Sequence, residues 1–435
     1  MTRTARPRHL FIATAAALPL LLAACSDTQY PNSTFTNLTD INRDAGSLWN
    51  LMIWLGIAVF VFVEALLIYV MFRYRRRPGS PEPEHVHGNT ALELTWTILP
   101  AFVLATIAVP TVQQIWKYQS GPPANALQVE VIGHQWWWEF RYPEQNITTA
   151  NELYIPTGRP VNFSMVSKDV IHSFWIPQLG GKRDLMRNRT NFIWFTPDSV
   201  GTQAFNGSCN EYCGTSHANM RFRAYTVSPE QFDSWVAGQQ ANAATPPGAP
   251  AADTATRATP VAAQSTPPAT QAPATATPPV TPPPAPATAA YTFPAEQLPA
   301  HVVPDTPIPE GLSIDEAVLA GGDAQRGMQT YSQSACIGCH RIRGITSPGT
   351  IGPDLTHVGS RNTIGAGLFP NDARHLALWI KNSRKMKPQF MGSATMPTLG
   401  MGEFDPLLKV SIGRAQGGLT DQQIADIVAY LRTLK

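Results

Sequence analysis

Charge is scarce in this chain. Asp, Glu, Lys and Arg make up 14% of its 435 residues, well under the quarter or so that a soluble domain uses to cover its surface. Neither sign is in large excess, the formal net charge being +2, and that gives no support to nucleic-acid binding as the main business. Five cysteines are too few to staple a chain of this length, so their spacing must say what they do. What the sequence has in plenty is proline, at 40 residues, and long apolar runs. Together these predict membrane spans plus an extended tract rather than one uniform globule.

Residues 1–24 carry Arg3, Arg6 and Arg8, then an apolar run from Leu10 to Leu22, then Ala23-Ala24 before Cys25. A basic start, a short apolar stretch and small residues before a cut make a secretory signal. The Cys directly after it resembles the lipoprotein processing box of bacteria. The alternative, a short membrane anchor with an incidental Cys, asks a run this short to cross a bilayer. The exported chain would then begin at a lipid-carrying Cys25, with 25–46 as its N-terminal segment.

Ser47 to Met71 is apolar except for Asn50 and Glu64, and as a helix it would be about 37 Å long, enough to span. Leu94 to Val112 is a second uncharged run. These predict transmembrane helices over 47–72 and 93–115. The loop between them, 73–92, opens with Arg73-Tyr74-Arg75-Arg76-Arg77, so the positive-inside rule puts it in the cytoplasm and both flanks outside. An ionised Glu64 is costly against lipid; it is either protonated or turned toward a partner subunit. Pro100 and Pro110 predict kinks whose freed carbonyls need neighbouring protein. Two spans bury little by themselves, so a larger membrane partner is expected.

From Leu127 to Val227 the pattern changes to short β-branched and aromatic runs: 128–132, 136–142, 161–166, 170–176, 192–195 and 222–227. Turn residues such as Pro143, Gly158-Arg159-Pro160 and Pro197-Asp198 separate them, which predicts a β-sandwich or barrel over 126–237. Ala241 to Ala290 then collapses to Ala, Pro and Thr with no aromatic residue. Such a tract cannot bury enough apolar surface to offset its ordering entropy, so 238–313 is expected to be a linker. The Ala/Pro/Thr stretch reaches between about 40 Å as a coil and about 150 Å if polyproline-like. A tethered module is expected over 314–435. It closes on an amphipathic helix with Thr420 and Gln423 as a capping box and Ile424, Ile427, Val428, Leu431 and Leu434 on one face.

At the front of that module stands Cys336-Ile337-Gly338-Cys339-His340. Two thioethers and an axial imidazole from one turn are what covalent haem attachment needs. A zinc half-site would want a second ligand pair, yet no Cys follows Cys339. A redox dithiol would want a βαβ setting, which is missing. His340 is then the proximal ligand. For the sixth position a thioether suits a high potential, and Met386, Met391, Met396 and Met401 compete on residue type alone.

A second constellation is Cys209-x-Glu211-x-Cys213-x-x-x-His217-x-x-Met220, with His172 on an earlier strand. Two thiolates, two imidazoles and a thioether form a soft set suited to copper rather than to magnesium or calcium. In a paired-copper site each thiolate bridges both ions, each ion takes one imidazole, and Met220 and the carbonyl of Glu211 supply weak outer contacts. A Cys209–Cys213 disulfide or a zinc site from two Cys and two His would leave Met220 and Glu211 at these offsets unexplained.

With both motifs in view, the chain resembles subunit II of the haem–copper cytochrome c oxidases, in the variant with a fused cytochrome c domain. The resemblance covers 25–237 and 314–435. It implies a multidomain fold: a two-helix transmembrane hairpin, a cupredoxin-like β-sandwich and an all-α class I cytochrome c domain. It implies two copper ions in a CuA centre, one covalent haem c, and a magnesium ion touched by Glu211 at the subunit I interface. Met396-Pro397 looks like the family's distal loop, which selects Met396 as the sixth haem ligand. Gly133-His134-Gln135-Trp136-Trp137-Trp138 resembles the aromatic segment through which electrons come in, and this implies that role for Trp136, with core packing for Trp138. Leu92-Glu93-x-x-Trp96 resembles the segment whose carboxylate marks a proton-uptake entrance, implying Glu93, with plain helix-end solvation as the competing reading.

The resemblance further implies an electron-input subunit of a respiratory oxidase in a bacterial inner membrane, with both outer domains on the periplasmic or extracellular side. Its partners would be subunit I, other oxidase subunits, and cytochrome c or a bc1-type complex as donor. The haem module would swing on its tether to the sandwich near Trp136. One departure stands out: Arg187-Asn188 precede Arg189 where the family usually has Pro-Gly, so the turn there should differ, and with it the partner contacts of Asp184 and Arg189. Quinol oxidase subunits keep spans and sandwich without the copper ligands. A nitrous oxide reductase would need a His-rich propeller, and ten histidines with no blade repeat do not supply one. A copper-delivery protein would need neither Trp136 nor a haem.

Overall fold

The computed structural model describes residues 32–82, 85, 87–198, 203–242, 290–388 and 395–435. The signal over 1–24, Cys25, most of the Ala/Pro/Thr tract and Met391 lie outside the described residues.

Two long helices come first, α1 (Asp40–Arg73) and α2 (Thr90–Gln119). Both extend beyond the apolar cores read from sequence, because Thr39 and Asn89 cap their N-termini by accepting from Asn42 N and Leu92 N. α2 stays helical across Pro100 and Pro110. Leu, Phe, Trp and Val side chains stand exposed along the length of both, including Trp54, Phe60, Phe72, Leu99 and Phe102. A helix that is apolar all round needs lipid or a protein partner to cover it. The outer ends of the two helices are tied by Asp44, whose carboxylate accepts from Lys117 Nζ and Tyr118 Oη at 2.6 Å each.

The start of α1 also carries the sandwich. Thr39 Oγ1 donates to Leu179 O at 2.7 Å, Asp40 Oδ1 accepts from Thr196 N at 2.8 Å, and Arg43 pairs with Asp198. The exported domain is therefore seated on the membrane hairpin rather than strung from it.

Among the described residues the sandwich has ten strands: β1 Leu127–His134, β2 Trp137–Tyr142, β3 Ile147–Ala150, β4 Glu152–Pro156, β5 Val161–Ser167, β6 His172–Trp175, β7 Arg183–Leu185, β8 Asn191–Phe195, β9 Gln203–Cys209 and β10 Arg221–Val227. One sheet runs β3-β2-β1-β5-β8 and the other β4-β10-β9-β6-β7. Their inner faces bury Val129, Trp138, Phe140, Phe163, Phe174 and Phe222, each worth roughly 1.5–3 kcal/mol of apolar burial. Tyr142 on β2 clamps the sheets, its hydroxyl donating to Tyr154 O and accepting from Tyr154 N on β4. The strands that sequence periodicity passes over, β3, β4, β7 and β9, are short or, like Gln203–Cys209, largely polar. Trp136 lies in the turn before β2 and not in the strand. Arg187 and Asn188 form an exposed bend after β7.

α3 (Pro229–Gln240) follows the last strand and packs Phe232 and Trp235 onto the sandwich. The expected linker has an ordered end: past 290 the chain returns to the sandwich, where Phe293 and Val302 are 2% and 0% exposed within its core. These two apolar side chains lie just outside the Ala/Pro/Thr tract, which is why composition averaged over 238–313 hides them.

The C-terminal module holds α4 (Glu316–Ala320), α5 (Ala324–Gln333), α6 (Cys336–Cys339), α7 (Ala373–Met386) and α8 (Asp421–Leu431). α5 crosses α8 with Tyr331 against Tyr430 at 5.8 Å between ring centroids, and Arg326 pairs with Asp426 at 2.8 Å. Thr420 and Gln423 form the reciprocal cap at the start of α8, and Ile424, Ile427, Val428, Leu431 and Leu434 are all buried.

Candidate metal centre and haem-binding turn

The antiparallel pairing of β6 with β9 sets Phe174 opposite Cys209, which brings His172 at the head of β6 beside the thiol at the end of β9. Cys213, His217 and Met220 follow on the loop from β9 to β10, closed by Cys209 N donating to Met220 O at 3.0 Å. Cys209 Sγ and Cys213 Sγ are 3.8 Å apart, far beyond the roughly 2.05 Å of a disulfide. His172 Nδ1 lies 3.8 Å from Cys209 Sγ, His217 Nδ1 lies 3.6 Å from Cys213 Sγ, and Met220 Sδ lies 3.8 Å from Cys213 Sγ. The Glu211 carbonyl is 3.3 Å from Cys209 Sγ, while the Glu211 side chain is exposed.

This donor set fits soft metal ions. A metal about 2.3 Å from each sulfur fits between thiolates at this separation, and each sulfur already has its own imidazole. The pair is also prepared electrically. The shared hydrogen bond between the two thiols is the largest influence on both, pulling the Cys209 thiol below its ordinary value and pushing the Cys213 thiol above it, so the pair gives up its first proton readily.

The surroundings orient the ligands. His172 Nε2 donates to Asp169 Oδ1 at 2.7 Å, leaving Nδ1 to face Cys209. Burial opposes charge on Asp169, yet hydrogen bonds from His172, Gln135 N and Val170 N hold its carboxyl below the ordinary value. Gly133 must be glycine for this packing, since a Cβ there would stand 2.7 Å from His172 Cδ2. Trp136 is 2% exposed, and its Nε1 donates to Cys213 O at 3.0 Å, with Gln135 Nε2 on the same carbonyl at 2.7 Å. Trp138 is fully buried, 6.1 Å from the His172 ring between centroids.

In the C-terminal module, Cys336, Cys339 and His340 share one helical turn, and both thiols are free. His340 Nδ1 faces Pro353 O at 2.8 Å, so Nδ1 carries the proton and Nε2 is the nitrogen left for a metal. Burial lowers the His340 imidazole and keeps it neutral, the form that ligates. A Cβ at Gly352 would come within 2.7 Å of His340 Cε1. These features suit a porphyrin held by two thioethers and one imidazole.

Of the four methionines, Met386 is 4% exposed within the module's core and Met401 is 37% exposed. Met396 is half-buried against that core, its carbonyl accepting from Ser383 Oγ at 3.0 Å. Its loop is braced by Arg384, which pairs with Asp405 and donates to Thr395 Oγ1 at 3.3 Å. Glu93 lies away from both centres, exposed in the first turn of α2.

Three residues that sequence reasoning missed complete the picture. Asp169, three residues before His172, has only that spacing as a signal. Lys387, 2% exposed, donates to the carbonyl of Trp136. Glu152, also 2% exposed, accepts from Asn362 N at 2.8 Å and Thr363 N at 2.9 Å. Burial pushes Glu152 up to about 7 against the pull of Arg361, and pushes Lys387 down to about 7.

Known families match this layout. The model described as Cytochrome C oxidase subunit II, transmembrane domain, matches residues 38–114; that for its periplasmic domain matches 145–227; and that described as Cytochrome c matches 324–435. The second span contains His172 and the Cys209–Met220 loop, and the third contains Cys336, Cys339, His340 and Met396. The Cytochrome c oxidase subunit 2 of Alkalihalophilus pseudofirmus is 29% identical over 383 residues, 87% of this chain and 83% of that one. The Probable cytochrome c oxidase subunit 2 of Rickettsia bellii is 31% identical over 214 residues, 44% of this chain and 78% of that one. The Quinol oxidase subunit 2 of Bacillus subtilis is 36% identical over 189 residues, 42% of this chain and 58% of that one. A membrane hairpin, a periplasmic sandwich with a His/Cys/Cys/Met cluster of CuA type, and a cytochrome c module thus occur in one chain, and it belongs to the family of subunit II of cytochrome c oxidase, with a cytochrome c domain fused on its C-terminal side.

Proposed function

We propose that this chain is the electron-input subunit of a respiratory terminal oxidase in a bacterial inner membrane. Electrons come from cytochrome c or a bc1-type complex to its own haem c domain, pass to a binuclear CuA centre, and leave for the haem–copper site of subunit I, where O2 is reduced to water with proton translocation. The observation that carries this reading is the thiol pair Cys209 and Cys213, 3.8 Å apart with one imidazole beside each sulfur.

The metals and the porphyrin, when bound, supply the one-electron chemistry that side chains cannot. The protein's part is positioning. His172, Cys209, Cys213, His217 and Met220, with the Glu211 carbonyl, would hold two copper ions, and Asp169 fixes the tautomer of His172. The Glu211 side chain is free to reach a magnesium ion at the subunit I interface. Cys336, Cys339, His340 and Met396 would hold haem c. Trp136, hydrogen-bonded to the backbone of Cys213, offers a short bonded route toward the ligands. Glu93, at the inner end of α2, would mark proton uptake in the partner. The unpaired apolar faces of α1 and α2 support assembly with subunit I.

A quinol oxidase subunit has no use for the thiol pair, so the copper set favours a cytochrome-fed oxidase. The test is detergent purification of the complex, then metal counting with optical and electron paramagnetic spectra. Two coppers sharing one unpaired electron, and one covalent haem per chain, are expected; a single copper or no haem overturns the reading.

A further inference from the structure

The haem module and the sandwich meet across a seam closed by buried charged groups. From the sandwich, Glu152 Oε1 accepts from Asn362 N, Thr363 N and, at 3.2 Å, Thr363 Oγ1. From the module, Lys387 donates to the Trp136 carbonyl. A third strut, Arg223, is 3% exposed and donates to Gly367 O at 2.9 Å.

A carboxyl group and an amine, whatever their charge, give up water only where other polar groups replace it. At a contact that forms and breaks with each electron, both would be rehydrated and stripped again in every cycle. Burial of both in contacts between the module and the sandwich is instead the mark of a standing interface. The same seam covers the face that an outside carrier would have to reach, because Trp136 is 2% exposed and its carbonyl is taken.

We infer that the haem module is a resident of the copper domain, anchored by Lys387 at Trp136 and by Glu152 at the amides of Asn362 and Thr363, and that this seal makes the module the obligatory entrance for electrons. An outside reduced cytochrome delivers to the module and does not reach the Trp136 face. Lys387 and Glu152 are positioning residues. The inference rests on the electron-input reading above. It replaces a swinging delivery with a fixed one, and the transfer it concerns is one electron from donor centre to acceptor centre, with no bond made or broken.

The experiment is flash reduction of the haem in the assembled oxidase, followed by the time course of copper reduction in wild type, Lys387→Gln, Lys387→Arg and Glu152→Ala. Lys387→Gln and Glu152→Ala should slow the haem-to-copper step by about tenfold to a hundredfold, as loss of alignment does, with copper and haem spectra unchanged. Lys387→Arg, which still donates, should recover most of the rate. An excess of a reduced soluble c-type cytochrome should reduce copper ahead of the module's haem in the two opened variants and never in wild type.

Amide exchange supplies a readout independent of turnover: Asn362 and Thr363 should be protected in wild type and exposed in Glu152→Ala. Rapid exchange of these amides in wild type, wild-type transfer rates in both opened variants, or direct copper reduction by the soluble cytochrome in wild type would each overturn the inference. If flash-reduced haem in wild type never reduces copper, the electron-input reading itself falls and takes this inference with it; if wild type transfers and the variants match it, this inference falls and the electron-input reading stands.

Discussion

Cys209 and Cys213 hold their sulfurs 3.8 Å apart on one loop, each with a different histidine beside it. A serine oxygen in place of either sulfur is too hard and too short to bridge two soft ions. Cys213→Ser should abolish the paired-copper paramagnetic signal and leave the haem optical spectrum as it is. Loss of both spectra together would show that the two centres do not assemble independently.

Asp169 reaches the copper ions only through His172. Asp169→Ala frees the imidazole to turn and also releases Gln135 N, which donates to the same carboxylate at 2.7 Å. Copper affinity should fall about 10- to 100-fold, the usual effect of removing such a partner. Titration of copper into metal-depleted protein measures it.

The methionines separate cleanly by substitution. Met396→Leu should remove the optical band of methionine-ligated haem and lower its potential. Met386→Leu, a volume-conserving change within the core, should keep the band and cost under about 1.5 kcal/mol of stability. A spectrum altered by the second change and not the first would move the ligand.

Gly352 has no room for a methyl group, since its Cβ would sit 2.7 Å from His340 Cε1. Gly352→Ala forces the imidazole off its Pro353 hydrogen bond, at about 1–3 kcal/mol for overpacking. The haem spectrum should report a tilted or lost proximal ligand, while the copper signal is unaffected.

Acid should loosen the Met396 loop in a defined window. Burial works to raise Asp405, but hydrogen bonds from Leu408 N and Arg384 outweigh it and bring its carboxyl down to about 2. A depressed carboxylate stabilises the fold fully above its unfolded value near 3.8, and that contribution is lost as pH falls through about 2. The methionine-ligation band should therefore persist at pH 5 and fade between about 4 and 2. Asp405→Asn should flatten this dependence.

Much of the molecule is readable residue by residue. Both spans are apolar runs, and the strands Leu127–His134, Val161–Ser167 and Arg221–Val227 alternate or run apolar as strands must. Polar β9 is not legible in this way, because its place between β10 and β6 makes it a strand, whatever its own propensity. The ordered return of the chain at Phe293 and Val302 is invisible for a similar reason: the apolar residues there are few and follow no strand or helix period, and only the core they fill gives them meaning.

Ligands that are neighbours along the chain are determined by the sequence alone. Cys336, Cys339 and His340 share one turn, and Cys209, Cys213, His217 and Met220 share one loop, so spacing suffices to bring their chemistry together. Tertiary structure decides the rest: strand register sets His172 beside Cys209, Pro353 O chooses the tautomer of His340, and the seam puts Lys387 on Trp136 and Glu152 on Asn362 and Thr363. Those contacts join segments far apart along the chain. They form because buried polar groups must find partners across packed surfaces, a requirement that no local pattern of residues expresses.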